Sequence, residues 1–351
     1  MHQANLGRSG IRVSRFCLGA MMFGSMGNRD RRDCVRIIHR ALDAGINFID
    51  TADAYSMGQS EEIVGEALRG RRDAIVLATK FFAPMGDDPN RRGVSRRWIV
   101  RAVEESLRRL GTEWIDLYQM HRFDEETDLE EPLSALTDLV RDGKVRAIGI
   151  STFTADRIVE AQWVAERRGW LRPRCEQSPY SILRREIERT VLPACQRYGM
   201  GMIVWSPLEG GWLTGRYLAP EDFREDTRLV ALGRRWGAFD LSTPWNQRRL
   251  ATVRQLDELA KKAGLPLSRL AIAWTLEHPG VTSAILGPRT FEQLEDLLAA
   301  AELVLDAELL DEIDRIVPPG TNVNPFDPTS DPAALQPARR RRGLRSGPAA
   351  R

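Results

Sequence analysis

Residues 47–55 read Asn-Phe-Ile-Asp-Thr-Ala-Asp-Ala-Tyr, a short apolar run followed by two carboxylates and a phenol. An apolar stripe with helical spacing over residues 37–42 precedes the run, and Gly45 stands where a glycine commonly ends a helix. The pattern predicts a helix, a turn and a buried strand that ends at Asp50, with Tyr55 on the loop above the strand. In parallel α/β proteins, chemistry is placed at this end of the strands.

Two later apolar runs end in the same way. Residues 74–80 read Ala-Ile-Val-Leu-Ala-Thr-Lys and end at Lys80, and residues 115–121 read Ile-Asp-Leu-Tyr-Gln-Met-His and end at His121. Because the carboxyl ends of parallel strands meet at one edge, we expect these two side chains to converge with the carboxylate and phenol of the first run.

Strand and helix patterns alternate along the rest of the chain. Strands are predicted at residues 16–20, 47–50, 74–80, 115–121, 146–151, 173–177, 201–206 and 283–287. Helices are predicted at residues 30–44, 60–68, 95–110, 129–140, 154–168, 184–198, 266–277 and 290–300, with Ser60 and Ser95 as N-caps. Each unit has the length of a parallel crossover. The sequence therefore predicts an α/β fold, a closed (β/α)8 TIM barrel, with an open doubly wound sheet as the alternative.

Two segments interrupt this alternation. Residues 208–245 are rich in Gly, Trp, Arg and Pro, which predicts an extended loop of functional importance after strand seven. Residues 319–351 lose apolar periodicity and carry a run of arginines, which predicts a disordered tail. We therefore assign one domain to residues 1–318 and the tail to residues 319–351.

Composition and charge exclude several classes of protein. The 351 residues are 42% hydrophobic and 28% charged, which is typical of a soluble globular protein. No apolar run of about 18 residues and no signal-peptide core is present, so we expect a cytoplasmic protein without membrane contact. The four cysteines lack metal-ligand spacing, so no metal site is expected. Without the six arginines of residues 332–351, 45 basic residues stand against 49 acidic ones, and this net charge of −4 argues against a nucleic-acid partner.

The four strand-end residues, each within its local motif, resemble the catalytic tetrad of the aldo-keto reductases. The tetrad comprises Asp50, Tyr55, Lys80 and His121. Singly, such residues are also typical of an ion pair, a rim aromatic or a strand-end histidine, but their joint match to one family favours catalysis. The resemblance covers roughly residues 6–318 and is strongest to bacterial NADPH-dependent members, which are similar also to potassium-channel β subunits. It implies a short N-terminal hairpin across the barrel and reduction of a small-molecule carbonyl substrate.

The tetrad suggests how the proton would be supplied. A lysine ammonium about 4 Å from Tyr55 would stabilise its phenolate by about 4 kcal/mol, or about three pKa units, which would bring the pKa toward neutrality. Asp50 would keep Lys80 charged, and His121 would hydrogen-bond the substrate oxygen. Tyr55 is then the expected general acid.

The motifs expected to hold a cofactor lie late in the chain. No Gly-x-Gly-x-x-Gly follows a strand, so a Rossmann-type site is not indicated. Instead, residues 205–217 and 287–294 follow strands seven and eight, whose loops commonly bind phosphate in barrels. Thr290 and Gln293 have the spacing of a capping box, and Arg289 suits the 2′-phosphate of NADPH in preference to NADH.

The resemblance also implies a set of cofactor ligands. Those at the nicotinamide end are Ala20, Met21, Asp50, Ser151 and Gln177, those at the pyrophosphate are Trp205, Ser206, Pro207, Leu208, Gly210 and Arg216, and those at the adenosine end are Gly287, Arg289, Gln293 and Asp296. Four positions depart from the commoner family pattern. Thr152 replaces an asparagine, Leu297 replaces another, Glu209 replaces a small residue and would repel phosphate unless it points away, and Arg216 replaces a lysine.

The substrate pocket and two rival functions remain open at this point. Six apolar residues near the expected rim suggest a pocket for an aldehyde or ketone, namely Phe23, Met57, Phe81, Phe82, Phe123 and Trp212. One rival is a cofactor-binding regulatory subunit with incidental turnover. The other is a cofactor-free lyase or isomerase with Lys80 as a Schiff base, which Asp50 disfavours because it would keep the lysine protonated. Substrate identity and oligomeric state do not follow from the sequence.

Overall fold

A closed barrel of parallel strands forms the body of the molecule. The computed structural model describes residues 1–224, 230 and 240–325. The barrel strands, in chain order, are β3 (Phe16–Gly19), β4 (Phe48–Asp50), β5 (Val76–Phe81), β6 (Ile115–Met120), β7 (Val145–Ser151), β8 (Cys175–Pro179), β9 (Gly201–Trp205) and β10 (Ser283–Leu286). Each pairs in parallel with the next, and β10 closes the ring by pairing with both β9 and β3. The predicted TIM barrel is confirmed, and the open sheet is wrong.

Helices surround the barrel and connect its strands. They are α1 (Arg31–Asp43), α2 (Gln59–Ala67), α3 (Arg96–Leu110), α4 (Glu130–Arg141), α5 (Ala155–Arg168), α6 (Val191–Tyr198), α7 (Pro244–Lys262), α8 (Leu267–Glu277), α9 (Phe291–Leu298) and α10 (Ala307–Ile316). Helix α7 and helix α10 were not predicted. Short 3-10 turns lie at Tyr55–Gly58, Arg72–Ala74, Glu186–Glu188, Glu209–Thr214 and Pro220–Asp222. Among the described residues, no helix is both long and apolar enough to cross a membrane.

Two apolar layers stabilise the fold. One fills the barrel interior with side chains from alternate strand positions, and its buried members are Leu6, Val13, Cys17, Phe48, Ala78, Leu117, Ala147, Cys175, Ile203 and Ile285. The larger layer, called the outer core below, lies between the strands and the surrounding helices. All four cysteines are buried and free, as expected for small apolar side chains.

The predicted N-terminal hairpin is present and covers the amino-terminal end of the barrel. β1 (Gln3–Asn5) pairs antiparallel with β2 (Arg12–Ser14), and Leu6 between them enters the barrel interior. Gly7 lies so close to the start of β9 that a Cβ placed on it would be 2.4 Å from the backbone nitrogen of Gly201. Its φ of +54° also favours glycine.

Of the helix ends assigned to Gly45, Ser60 and Ser95, two follow the sequence. Gly45 has φ +89° and lies just beyond α1, and Ser95 caps α3 by accepting from the amide of Trp98 at 3.3 Å. The prediction that Ser60 caps the next helix is wrong. Gly58 takes the cap position, and the buried Ser60 hydroxyl donates instead to the carbonyl of Ala20 at 2.7 Å.

The predicted helix over residues 184–198 begins later than expected, at Val191. The segment before it is occupied by contacts with the chain beyond α10: the amide of Arg185 donates to the carbonyl of Thr321 at 3.0 Å, and the amide of Val323 donates to the carbonyl of Leu183 at 2.9 Å. Residues 326–351 lie outside the described part, so the predicted tail and the boundary at residue 318 stay predictions. Part of the predicted loop 208–245 also lies outside it, at residues 225–229 and 231–239.

Candidate active site

Three neighbouring strands bring the predicted tetrad together at the carboxyl end of the barrel. The Lys80 ammonium is fully buried and donates to the Asp50 carboxylate, to the carbonyl of Thr51 at 2.8 Å and to the Tyr55 hydroxyl at 3.3 Å. The Tyr55 ring meets the His121 ring edge to face, with centroids 5.7 Å apart. The expected convergence of these four side chains is therefore observed.

Two buried amides complete the surroundings of Asp50. Gln119 and Gln177 donate to its second carboxylate oxygen at 3.1 and 2.9 Å, and the two amides also contact each other at 3.3 Å. Gln119 was not predicted, although its position two residues before His121 in a buried strand was a signal. The predicted nicotinamide ligand Gln177 thus also orients Asp50, and the carboxylate is held by three donors.

Burial controls the protonation of the tetrad. It lowers the pKa of His121 well below the usual value, with further lowering by Lys80 and Arg122, so the imidazole is neutral at pH 7. Burial also opposes the charge on Lys80, but Asp50 and Tyr55 outweigh it and raise the pKa of the ammonium. Burial raises the pKa of Tyr55 despite the opposing effect of Lys80. The predicted shift of the Tyr55 pKa toward neutrality is therefore wrong, because desolvation of the phenolate exceeds its attraction to the ammonium.

The other residues predicted at the nicotinamide end lie beside the tetrad. The amide of Ala20 donates to the carbonyl of Asp50 at 2.8 Å, and Met21 next to it is partly exposed. Ser151 donates its hydroxyl to the carbonyl of Gln177 at 2.9 Å. Thr152 follows with φ +58°, a left-handed conformation that is unfavourable for a β-branched side chain and better tolerated by asparagine.

The loops after β9 and β10 expose backbone and cationic groups. Gly210 and Gly287 are exposed, and a Cβ added to either would contact nothing within 4 Å. Arg216 and Arg289 are exposed beside them. Trp205, Ser206 and Leu208 are partly exposed, whereas Pro207 is buried.

The structure removes the expected conflict at Glu209. Its carboxylate is buried and accepts from the Ser181 hydroxyl at 2.8 Å and from Arg184 at 3.3 Å, with Arg249 3.7 Å away. Burial would raise the pKa of Glu209, but the two arginines and the hydroxyl lower it, so the carboxylate is ionised. The predicted repulsion of phosphate holds only for an outward-pointing side chain, and this one points inward.

The start of α9 differs in detail from a capping box. Thr290 accepts from the amide of Gln293 at 3.3 Å, but the Gln293 side chain accepts from the amide of Arg289 at 2.8 Å rather than from Thr290. Asp296 accepts from Arg269 at 2.9 Å, and Ser268 donates to it at 3.2 Å. Leu297 is buried in the outer core.

Three of the six residues predicted to line an apolar pocket are buried core residues instead. Phe23, Phe81 and Trp212 are buried in the outer core, and Phe81 packs on Tyr118 with ring centroids 4.8 Å apart. Met57 is 61% exposed, and Phe82 and Phe123 are partly exposed, so these three remain available at the rim. Sequence alone cannot separate rim aromatics from core aromatics one residue apart, because successive strand residues face opposite sides.

Comparison with known proteins identifies a family and relatives of this chain. The model of the aldo/keto reductase family matches residues 15–318. The uncharacterized oxidoreductase YrpG of Bacillus subtilis is 40% identical over 91% of this chain and 96% of its own length. A putative voltage-gated potassium channel subunit beta of Schizosaccharomyces pombe is 37% identical over 89% of this chain and 92% of its own length. Versiconal hemiacetal acetate reductase of Aspergillus parasiticus is 35% identical over 88% of this chain and 94% of its own length.

Proposed function

The chain belongs to the aldo/keto reductase family of oxidoreductases, and from this premise we propose that it reduces aldehydes or ketones to alcohols with NADPH. The observation that carries the proposal is the contact of 3.3 Å between the partly buried Tyr55 hydroxyl and the buried Lys80 ammonium, next to His121. This arrangement offers a proton donor, a cation to stabilise the anion that the donor leaves, and a neutral imidazole for orientation.

The residues at the carboxyl edge of the barrel fit a nicotinamide dinucleotide. Open backbone at Gly210 and Gly287 allows a pyrophosphate or ribose to approach closely, and Arg216 and Arg289 supply exposed positive charge. The amide groups that begin α9 add to the attraction of an anion, and Arg289 beside them supports NADPH over NADH. When bound, NADPH supplies the hydride that the carbonyl carbon accepts.

The tetrad supplies the proton. With its raised pKa, Tyr55 is a neutral phenol at pH 7 and donates its proton to the carbonyl oxygen. Lys80 then stabilises the phenolate, and Asp50 keeps Lys80 charged and in place. The neutral His121 ring hydrogen-bonds the carbonyl oxygen and holds it near Tyr55. Burial excludes water, which strengthens each of these interactions.

Substitution of Tyr55 by Phe tests the proposal. We expect aldehyde-dependent oxidation of NADPH to fall by about 100-fold to 10,000-fold, because the general acid is removed while the ring that packs on His121 stays. Binding of NADPH, followed by fluorescence titration, should change little and serves as the control for folding. Undiminished reduction by Tyr55→Phe would exclude Tyr55 as the acid.

A regulatory subunit is the second candidate, because several relatives are named as putative or probable voltage-gated potassium channel subunits beta. Tight binding of NADPH without its oxidation by a panel of aldehydes would favour that role. The complete tetrad favours turnover instead. Schiff-base chemistry on Lys80 is disfavoured, because its raised pKa and its contact with Asp50 keep the amine protonated.

A further inference from the structure

Arg122 follows the tetrad histidine and was singled out by no motif. Its Nη1 donates to the carbonyl of His121 at 2.8 Å and to the Thr152 hydroxyl at 2.7 Å. These two bonds hold the guanidinium across the carboxyl ends of β6 and β7, the edge at which Tyr55 and His121 lie. Arg122 is therefore fixed beside the site of the proposed reaction.

The charge of Arg122 has no partner of opposite sign within the described ranges. No carboxylate oxygen there lies within 4 Å of its nitrogens. Three other buried or partly buried arginines differ, since Arg109, Arg184 and Arg185 have a carboxylate at 2.7, 3.3 and 2.8 Å. Arg15, at the opposite end of the barrel, donates to three carbonyl oxygens instead. A partly buried cation without such compensation is costly to maintain, which points to a ligand.

The donors left on Arg122 remain available. Its Nε and Nη2 donate to no residue in the described part of the chain, and neither belongs to the buried unpaired atoms, so both retain contact with solvent. The charge also acts on the site, because after burial and Lys80 it contributes to the low pKa of His121. The Lys80 ammonium is paired with Asp50. Arg122 is therefore the cation at this edge that a substrate anion can contact.

Glu176 is the carboxyl group that acts on the pKa of Arg122, but it does not neutralise the guanidinium. Burial raises the pKa of the Glu176 carboxyl to about 8, so it is mostly protonated at neutral pH. It is also committed elsewhere, since it accepts from the Ser178 hydroxyl at 2.7 Å and from the amide of Phe153 at 3.3 Å.

We propose that Arg122 binds a carboxylate carried by the carbonyl substrate, so that the chain prefers anionic aldehydes or ketones to neutral ones. A guanidinium presents two parallel N–H donors to a carboxylate, and Nε and Nη2 form such a fork. The inference rests on the proposed function, because it concerns the substrate of the same site.

The test compares matched substrates. The kcat/KM for reduction by NADPH is measured with 3- and 4-carboxybenzaldehyde and with their methyl esters, which have nearly the same shape without the charge. We expect the wild-type protein to favour a carboxylate over its ester. Arg122→Met should lower kcat/KM by about 10-fold to 100-fold for the acids and by less than about threefold for the esters.

Two further variants separate recognition from structure. Arg122→Lys keeps the charge without the fork and should fall between wild type and Arg122→Met. Arg157→Met is the matched control, because Arg157 lies over Phe123 at the same rim but is paired with Glu160 at 2.8 Å, and its acid-to-ester ratio should not change. Since the ratio is taken within each variant, partial loss of folded protein cancels.

Several outcomes overturn the inference. One is a wild-type protein that reduces the esters as well as the acids. Another is an equal loss of kcat/KM for acids and esters in Arg122→Met. A third is a change in Arg122→Met that is confined to the KM for NADPH, which would place Arg122 at the cofactor. Reduction of the esters without preference overturns this inference alone. Failure to reduce any of the aldehydes would overturn the proposed function together with it.

Discussion

At the scale of single residues, Tyr55 and Lys80 show two opposing effects at one contact. The ammonium 3.3 Å away favours the phenolate, but desolvation of the partly buried phenol disfavours it more strongly, so the pKa of Tyr55 lies above the usual value. Burial lowers the pKa of His121, whereas it raises that of Tyr55, and in both residues it favours the neutral form. The site therefore holds a neutral acid and a neutral imidazole around one ion pair.

These protonation states predict how the rate depends on pH. In the proposed reaction, reduction requires the phenol form of Tyr55, and because burial raises the pKa of this phenol above about 10, that form persists throughout pH 6–9. His121 has a pKa well below 6.5 and stays neutral over the same range. We expect kcat/KM for aldehyde reduction to vary by less than about twofold between pH 6 and 9. Oxidation of the alcohol requires the phenolate and should rise with pH.

Steady-state rates at constant ionic strength, with folding monitored by circular dichroism, provide the measurement. An inflection near pH 6.5 in the wild-type protein that disappears in His121→Asn would show that His121 titrates there, contrary to this prediction. A fall in reduction rate on raising the pH from 7 to 9 would show instead that the pKa of Tyr55 is lowered, as the local sequence had suggested.

At the scale of elements, strained backbone is concentrated in the loops that carry the site. Among the described residues, five non-glycine residues have φ between +47° and +59°, and all five follow barrel strands at the carboxyl edge: Ser56, Met57, Thr152, Ser206 and Glu209. Such conformations cost free energy and persist where surrounding contacts enforce them. In the loop after β9, the buried Glu209 carboxylate supplies those contacts through Ser181, Arg184 and Arg249.

Substitution of Glu209 by Gln distinguishes two roles for the carboxylate. We expect the free energy of unfolding to fall by about 2–4 kcal/mol, because two buried arginines lose a carboxylate partner. We also expect weaker NADPH binding, since the loop that exposes Gly210 loses its anchor. A carboxylate that repelled phosphate would give the reverse sign, and tighter NADPH binding by Glu209→Gln would establish that role. Glu221→Gln, at an exposed position of the same connection, is the control.

Elements set by local pattern were predictable, and those set by distant contacts were not. Apolar periodicity identified the eight strands, and the termini at Gly45 and Ser95 followed from residue type. Ser60 misled because a serine two residues into a helix can bond to a neighbouring strand instead. The Glu209 side chain points inward partly because of Arg249, which is distant in sequence and lies on helix α7, a helix that was not predicted. The four residues could be singled out because three of them lie at or next to the carboxyl ends of three strands and Tyr55 lies on the loop after the first of these strands.

At the scale of the whole molecule, the two ends of the barrel have different tasks. The carboxyl end carries the tetrad, the strained loops and the exposed Gly210 and Gly287. The amino-terminal end is covered by the β1–β2 hairpin, whose Leu6 joins the barrel interior and whose Arg8 amide donates to the carbonyl of Gly199 at 2.8 Å. In barrels, residues at this end serve stability rather than chemistry. Changes there should alter unfolding and leave turnover by the folded protein intact.

Gly7 and Gly10 form a matched pair for testing this division. Both have positive φ, +54° and +80°, so alanine at either position incurs a backbone cost of about 1–2 kcal/mol. Only at Gly7 would the new methyl group meet backbone, 2.4 Å from the Gly201 nitrogen and 2.5 Å from the Gly199 oxygen, whereas nothing lies within 4 Å of a Cβ at Gly10. Gly7→Ala should therefore lower the free energy of unfolding by about 3 kcal/mol or more, and Gly10→Ala by clearly less.

Urea unfolding measures the difference in stability between the two variants. The kcat per folded molecule measures whether either substitution affects the tetrad. We expect kcat of both variants to equal that of wild type, because the hairpin contacts the amino-terminal ends of the strands and the tetrad lies at the other end. Equal destabilisation by the two substitutions would mean that the close approach of Gly7 to β9 contributes little beyond its φ. A loss of kcat in fully folded Gly7→Ala would mean that hairpin and tetrad are coupled through the barrel.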